Sequence, residues 1–345
     1  MAGYPPLQLA LLEAGIWLPL ALLGILEATR HPQLKWMWLV MGGFMLGISW
    51  MAGHSQTSWF ATYLIVAYMG YRTHVQKFNW LVFVGGTAII GFVSIGISAV
   101  QLLPSFEYLG HTTRNGMGFN DKLNGFSIQH IIQFIFPSVM SLWSPLYVGV
   151  SGLVLAIIAL IGRERERLFW GLVALIALGL SFGGNSAVFH SFYNILPGLR
   201  YFRGQERAAY LVANSLAILA GLGIVTLNAH RNDERLIHMV KKGLAGLAIA
   251  VGSVTGIVFI AKIGFPDEYT DMLNPIVLST IIAGILLLLI PRLFKQDQPL
   301  WLVLLAILVV FELFTVNIDN SNYESIRADE HFVMTVPPLV ERDRK

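Results

Sequence analysis

Of the 345 residues, 55% are hydrophobic and only 12% are charged, a balance too apolar for one soluble core and characteristic of an integral membrane protein. The formal net charge of +3 comes from Lys and Arg in short loops, with no basic block or aromatic-interleaved basic stripe, which argues against a nucleic-acid partner. The absence of cysteine excludes disulfides, iron–sulfur clusters and Cys-ligated zinc.

The N-terminal Met1-Ala2-Gly3-Tyr4-Pro5-Pro6 has no positive charge before its apolar run, so it does not read as a secretory signal peptide. Runs near the ~20 residues that cross a hydrocarbon core of about 30 Å predict spans at 7–27, 36–54, 57–71, 80–103, 146–162, 169–183, 207–228, 244–263, 276–291 and 299–317. The expected fold is all-α, a polytopic membrane bundle of about ten transmembrane helices over 1–317. Runs 57–71 and 169–183 are short, and read as tilted, extended by polar neighbours, or re-entrant.

Thirteen Lys and Arg fall in one set of loops (30–35, 72–77, 163–167, 231–242 and 292–295). The other set holds Arg114, Lys122, Arg200, Arg203, Arg207 and Lys262, with four more in the tail. The charge bias therefore places the first set in the cytoplasm and both termini outside. Trp36, Trp38, Trp80, Trp170 and Trp301 then anchor inner helix ends, and Trp50, Trp59 and Trp143 outer ends. Gly43/Gly47 and Gly252/Gly256 read as close-packing pairs. Two outside segments, 104–145 and 184–206, are long, and long connections are more often functional. Within the first, Ile128, Ile131, Ile132, Ile135 and Phe136 share one helical face and Gln129, His130 and Gln133 the other, predicting a helix in the outer interface that ends at Pro137.

The second long segment carries the sharpest signal. Arg200, Arg203 and Arg207 stand on the side where cations are normally scarce. Their spacing aligns them on one helical face, although Pro197, Gly198 and Gly204 favour a loop entering a helix near 205. The guanidinium fork suits phosphate oxygens, and a helix N-terminus adds donors and a favourable dipole; an Arg–Glu206 pair or a lipid-headgroup anchor is the bland alternative. His54-Ser55-Gln56-Thr57 forms a polar turn at the same surface, able to relay a proton, hold a sugar hydroxyl or phosphate, or simply cap a helix. Glu107, just beyond the fourth span, reads as a general base, a partner of an outside arginine, or a solvated interfacial charge. Glu13, six residues inside the first span, is a functional candidate by its depth, whereas Glu27 and Glu312 read as snorkelling. His111, Asp121, Lys122 and His190 are individually uninformative, and Arg163-Glu164-Arg165-Glu166-Arg167 is explained by orientation. No phosphate-binding G-x-x-x-x-G-K-[ST] loop, H-E-x-x-H helix, Asp-x-Asp pair or arginine-periodic span is present, which disfavours ATP-driven transport and metalloprotease chemistry.

Taken in order, several short segments resemble the YfhO family of bacterial polytopic proteins, within the GT-C glycosyltransferases. They are Leu12-Glu13-Ala14-Gly15-Ile16-Trp17-Leu18-Pro19; Gly53-His54-Ser55-Gln56-Thr57, where the family usually has Gly-His-Pro-Gln; Gln101-Leu102-Leu103-Pro104; Tyr147-Val148-Gly149; Phe182-Gly183; Pro197-Gly198-Leu199-Arg200-Tyr201-Phe202-Arg203 with Arg207; and Glu312-Leu313-Phe314. The resemblance covers nearly the whole chain. It implies a GT-C-like enzyme of the bacterial cytoplasmic membrane that transfers a sugar from a polyprenyl-phosphate carrier to an extracytoplasmic glycan or cell-wall polymer. The substrate-binding residues would be Arg200, Arg203, Arg207, His54, Gln56 and Glu107, with membrane lipid as surroundings. No nucleotide or soluble cofactor follows, and the superfamily leaves room for a divalent cation. GT-C enzymes carry their catalytic acid in the first large outside loop, and the matching here begins after it. The chain therefore reads as a fragment or as half of a split protein, with a separately encoded N-terminal half as partner and 318–345 as the start of a missing outside domain. No catalytic base is assigned. Two other classes remain: a transporter or lipid flippase, with Glu13 and His54 as coupling groups, and a non-catalytic membrane scaffold.

Overall fold

The computed structural model describes residues 9–112, 118–140, 145–295 and 299–318; Arg114, Trp143 and the tail beyond Ile318 lie outside the described residues. Among the described residues the regular elements are all helical: α1 (Leu9–Gly15), α2 (Leu18–Ala28), α3 (Trp36–Met51), α4 (Ser55–Val75), α5 (Trp80–Gly110), α6 (Val150–Ile161), α7 (Arg167–Ser181), α8 (Ala187–Tyr193), α9 (Ala209–Ala229), α10 (Glu234–Gly264), α11 (Pro266–Lys295) and α12 (Pro299–Ile318), with short 3₁₀ turns between them. Each of the ten apolar runs folds as helix. Six stretches are long and apolar enough to cross a membrane: Ala10–Ala28, Trp80–Gly110, Gln205–Ala229, Glu234–Gly264, Met272–Phe294 and Pro299–Val316. Helices α3, α6 and α7 are shorter apolar helices.

Prolines account for two departures from the expected spans. The first run is interrupted at Ile16–Trp17, because Pro19 lies in the first turn of α2, has no N–H and crowds the carbonyl four residues back. That carbonyl belongs to Gly15, and the Tyr210 hydroxyl of α9 donates to it at 2.5 Å. The fourth run, expected to stop at residue 103, continues through Pro104 to Gly110. The N–H that Pro104 lacks would have gone to the Val100 carbonyl; next to it Ser105 donates to the carbonyl of Gln101 at 2.7 Å.

Close helix approach is set by small residues. A β-carbon on Gly43 would lie 2.7 Å from the Ile90 carbonyl, and one on Gly47 2.9 Å from the Ile97 side chain, so this pair seats α3 on α5. The Gly252/Gly256 pair has nothing within 4 Å and lies on the weakly buried α10. The same role falls instead to Gly24, which faces the Trp38 carbonyl, and to Gly223, whose added β-carbon would collide with the Leu155 carbonyl. Gly223→Ala should force α9 off α6 and cost about 1–3 kcal/mol, read as a lower unfolding temperature in detergent.

Among the described residues two large apolar cores result, with a small third cluster of Phe136, Val251 and Ile276. One gathers α2, α3, α4, α7 and α8 around Phe60, Met69 and Trp170; the other gathers α10, α11 and α12 around Ile282, Leu286 and Ile290. Helices α6 and α9 contribute to both. At one end of the first core, Arg72 pairs with Glu166 at 2.8 Å and donates to the Thr29 hydroxyl at 3.0 Å. Trp170 also donates to Glu166, at 3.1 Å. Glu166 is therefore more than an orientation charge, and Trp170, 2% exposed, is a core residue rather than an interfacial anchor.

Glu312 does not snorkel. It is fully buried and accepts from the Tyr147 hydroxyl at 2.7 Å, Val150 N–H at 2.5 Å, Ser151 N–H at 3.2 Å and the Ser151 hydroxyl. It thus caps the N-terminus of α6, where free amides and the helix dipole favour a carboxylate. Segment Ile128–Phe134 is 3₁₀ rather than α. With three residues per turn its faces rearrange: Gln133 and Phe136 are buried while Ile128, Ile131, Ile132 and Gln129 are exposed, so the apolar and polar residues do not keep separate faces.

Candidate functional site: a cationic cavity beside an aromatic groove

The loops before α4, around 118–126 and between α7 and α9 converge at the end of the bundle opposite Arg72. Backbone pairing holds them: Phe126 N–H donates to the Ser181 carbonyl, Gly184 N–H to Leu123, and Gln205 N–H to Asn124, each at 2.9 Å. Glycine makes the approach feasible, since a β-carbon on Gly125 would collide with the Phe182 backbone. Gly198, at φ +87°, packs against the ring of Trp59, which donates to the Pro197 carbonyl at 2.7 Å.

The arginine segment is two 3₁₀ turns, Leu199–Tyr201 and Gln205–Ala208, separated by an extended Phe202. That break destroys the common helical face. Arg203 and Arg207 line a cavity of about 170 Å³ with Gln56, Lys122, Asn124 and Glu206. Arg200 does not: it is exposed and lies over the Tyr201 ring at 5.5 Å. Gln56 is the keystone, donating to the Gly204 carbonyl and accepting from Arg207 Nη1, both at 2.6 Å. This contact joins residues 151 positions apart.

Lys122 is the group that sequence reasoning passed over. It sits on a short 3₁₀ turn, Asn120–Lys122, is only 7% exposed, and has no hydrogen-bond or ion-pair partner among the described residues. Arg207 Nε is likewise buried without a hydrogen-bond partner. Three cations thus line the cavity against one carboxylate, Glu206. A largely buried lysine and a buried guanidinium Nε without partners are costly, and an anion in the cavity reduces that cost with charge-assisted hydrogen bonds. The signal was present in the charge count, where Lys122 stands on the same cation-poor side as the arginines.

His54 lies beside this cavity as the N-cap of α4, its Nδ1 accepting from Thr57 N–H at 3.3 Å and facing the Thr57 hydroxyl at 2.7 Å. Burial, reinforced by the Arg207 charge, pushes its pKa down to about 4 from 6.5. The unfolded chain therefore takes up a proton between these values that the folded chain refuses. The cap's contribution is complete above pH 6.5 and is lost progressively as pH falls toward 4. His54→Asn, which keeps a capping oxygen without the titration, should flatten this acid-side loss, read as unfolding temperature at pH 7 against pH 5.

A second concavity of about 360 Å³ adjoins the first through Tyr201 and Phe202 and is lined also by Trp50, Trp59, Phe106 and Tyr108. Trp50 and Trp59, expected as membrane anchors, meet edge to face at 5.2 Å. Glu107 is exposed on the last turns of α5 and lines neither concavity. Glu13 is exposed on α1 with no ion-pair partner among the described residues. No group of three or more His, Asp or Glu close enough to hold a metal ion occurs among the described residues. No family model, curated protein or solved structure matches this chain.

Proposed function

We propose that this chain is the membrane core of a GT-C-type glycosyltransferase of the bacterial cytoplasmic membrane, with about ten transmembrane helices and both termini extracytoplasmic. It takes a sugar from a polyprenyl-phosphate carrier and passes it to an extracytoplasmic glycan or cell-wall polymer. The observation that carries the reading is the buried, unpartnered Lys122 in one cavity with Arg203 and Arg207. Three cations lining one cavity, with Lys122 buried, Arg207 half-buried and Arg203 exposed, suit the phosphate of an amphipathic ligand at the end of an apolar bundle. The charge bias puts that end outside, where a lipid-linked sugar would be consumed. The transport reading draws less support, because Glu13 is exposed on α1 and His54 serves as a helix cap.

The test is reconstitution in proteoliposomes with a polyprenyl-phosphate sugar and a glycan acceptor. Expected are donor binding, its loss in Arg203→Ala, and transfer of the sugar to the acceptor. No donor binding and no transfer would end the reading.

A further inference from the structure

We infer that the aromatic groove beside the cationic cavity is a carbohydrate subsite, which receives a pyranose ring while the cavity holds the attached phosphate. The inference rests on the proposed phosphate site for the second half of that statement. The groove itself is argued from its own wall.

None of the residues lining the groove is charged. Its ligand portion is therefore neutral, in contrast to the adjoining cavity with its three cations and one carboxylate. Hydroxyls are dense along the wall: Ser55, Ser105, Tyr108, Thr112 and Tyr201. Ser105 and Thr112 spend their protons on backbone carbonyls of Gln101 and Leu109, at 2.7 and 2.9 Å, which leaves their oxygen lone pairs to accept. The hydroxyls of Ser55, Tyr108 and Tyr201 have no hydrogen-bond partner among the described residues, so donors and acceptors are both on offer. An isoprenoid chain has no use for either, whereas each sugar hydroxyl both donates and accepts.

The aromatic part of the wall is held in place. Trp59 is fixed through its indole N–H to Pro197 and by its edge contact with Trp50, and its ring centroid stands 6.1 Å from that of Phe202. A flat apolar face beside hydroxyls matches a pyranose, whose axial C–H groups form an apolar face ringed by OH groups. The volume of about 360 Å³ falls in the range of small-molecule sites, about 300–1,000 Å³. The groove and the cavity share Tyr201 and Phe202, so one ligand can span both.

The shared chemistry, a pyranose, can come from the donor lipid or from the acceptor glycan, and the experiment separates them. The full chain in lipid nanodiscs is titrated with a short-chain polyprenyl phosphate, with its hexose-bearing counterpart, and with phosphate-free oligosaccharides, by calorimetry. Phe106→Ala and Tyr108→Ala remove exposed side chains that line the groove and not the cavity and leave the fold intact. Expected for a donor sugar is about tenfold tighter binding of the hexose-bearing lipid, a gain erased by both variants while binding of the sugar-free lipid is unchanged. Oligosaccharide binding that the variants abolish marks the acceptor and equally supports the subsite. Equal binding of the two lipids together with no oligosaccharide binding overturns the inference. So does weaker binding of the sugar-free lipid in these two groove variants, which makes the groove a prenyl channel; in both cases the phosphate site stands. Loss of all lipid-phosphate binding with oligosaccharide binding retained overturns the proposed function and upholds the groove.

Discussion

Lys122→Met weakens binding of a polyprenyl phosphate by about ten- to a hundredfold, the equivalent of one charge-assisted hydrogen bond of ~1.5–3 kcal/mol, and does so without destabilising the ligand-free protein. The second half of this expectation follows from Lys122 being 7% exposed as a residue and unpartnered among the described residues. Methionine has a similar shape and no charge to desolvate, so the unliganded variant should unfold at the same or a higher temperature than the parent. A residue retained for packing would behave in the opposite way, lowering stability when changed and affecting ligand only through the fold. Arg207→Ala provides the contrast. It removes a cavity cation and also breaks the 2.6 Å contact to Gln56, leaving a buried amide oxygen unsatisfied at a cost of about 1–3 kcal/mol. Binding and stability should therefore fall together in Arg207→Ala and separate in Lys122→Met, which calorimetric titration and thermal unfolding of the same preparations would reveal.

Glu312→Leu should be the most destabilising single change outside the site, by about 3–5 kcal/mol. Its carboxylate receives four donors, from Tyr147, Val150 and Ser151, and leucine leaves all four buried and unpaired. Gly149, at φ +83°, brings the start of α6 so close that an added β-carbon would lie 3.0 Å from Glu312 Oε2. Glu312→Gln keeps one acceptor oxygen but turns an NH₂ toward donors, so its cost should be smaller, about 1–3 kcal/mol. Helix α12 is otherwise weakly buried. Limited proteolysis of the α11–α12 connection should accelerate in Glu312→Leu and much less in Glu312→Gln; equal rates in both variants and the parent would show that the carboxylate does not hold α12.

The positions of the helices were legible because a run of some twenty apolar residues admits few other structures in a membrane. Their exact ends were not, since a proline such as Pro104 can be carried inside an apolar helix and does not mark its end. The Gly43/Gly47 pair could be read as a contact, yet Gly252/Gly256 has the same spacing and meets nothing; spacing reports a smooth face and not what lies against it. The same limit governs the site. Arg203 and Arg207 stood out through the charge rule, but the loss of Arg200 from the group depended on one extended residue, Phe202. Gln56 acquired its role from a partner 151 residues away. Glu312 looked like a charge near a helix end because its four donors lie more than 160 residues upstream.

The sharing of α6 and α9 between both cores has a consequence for biosynthesis. Leu155 leaves the ribosome 68 residues before Gly223, the residue shaped to receive it. At roughly 5–20 residues per second the inserted α6 waits about 3–14 s for its mate, with its backbone face open to lipid or to an insertion chaperone. The central seam can thus close only after α7, α8 and the site loops have been made, and slowed elongation between residues 161 and 209 would prolong the interval in which the nascent chain can be captured by the wrong helix.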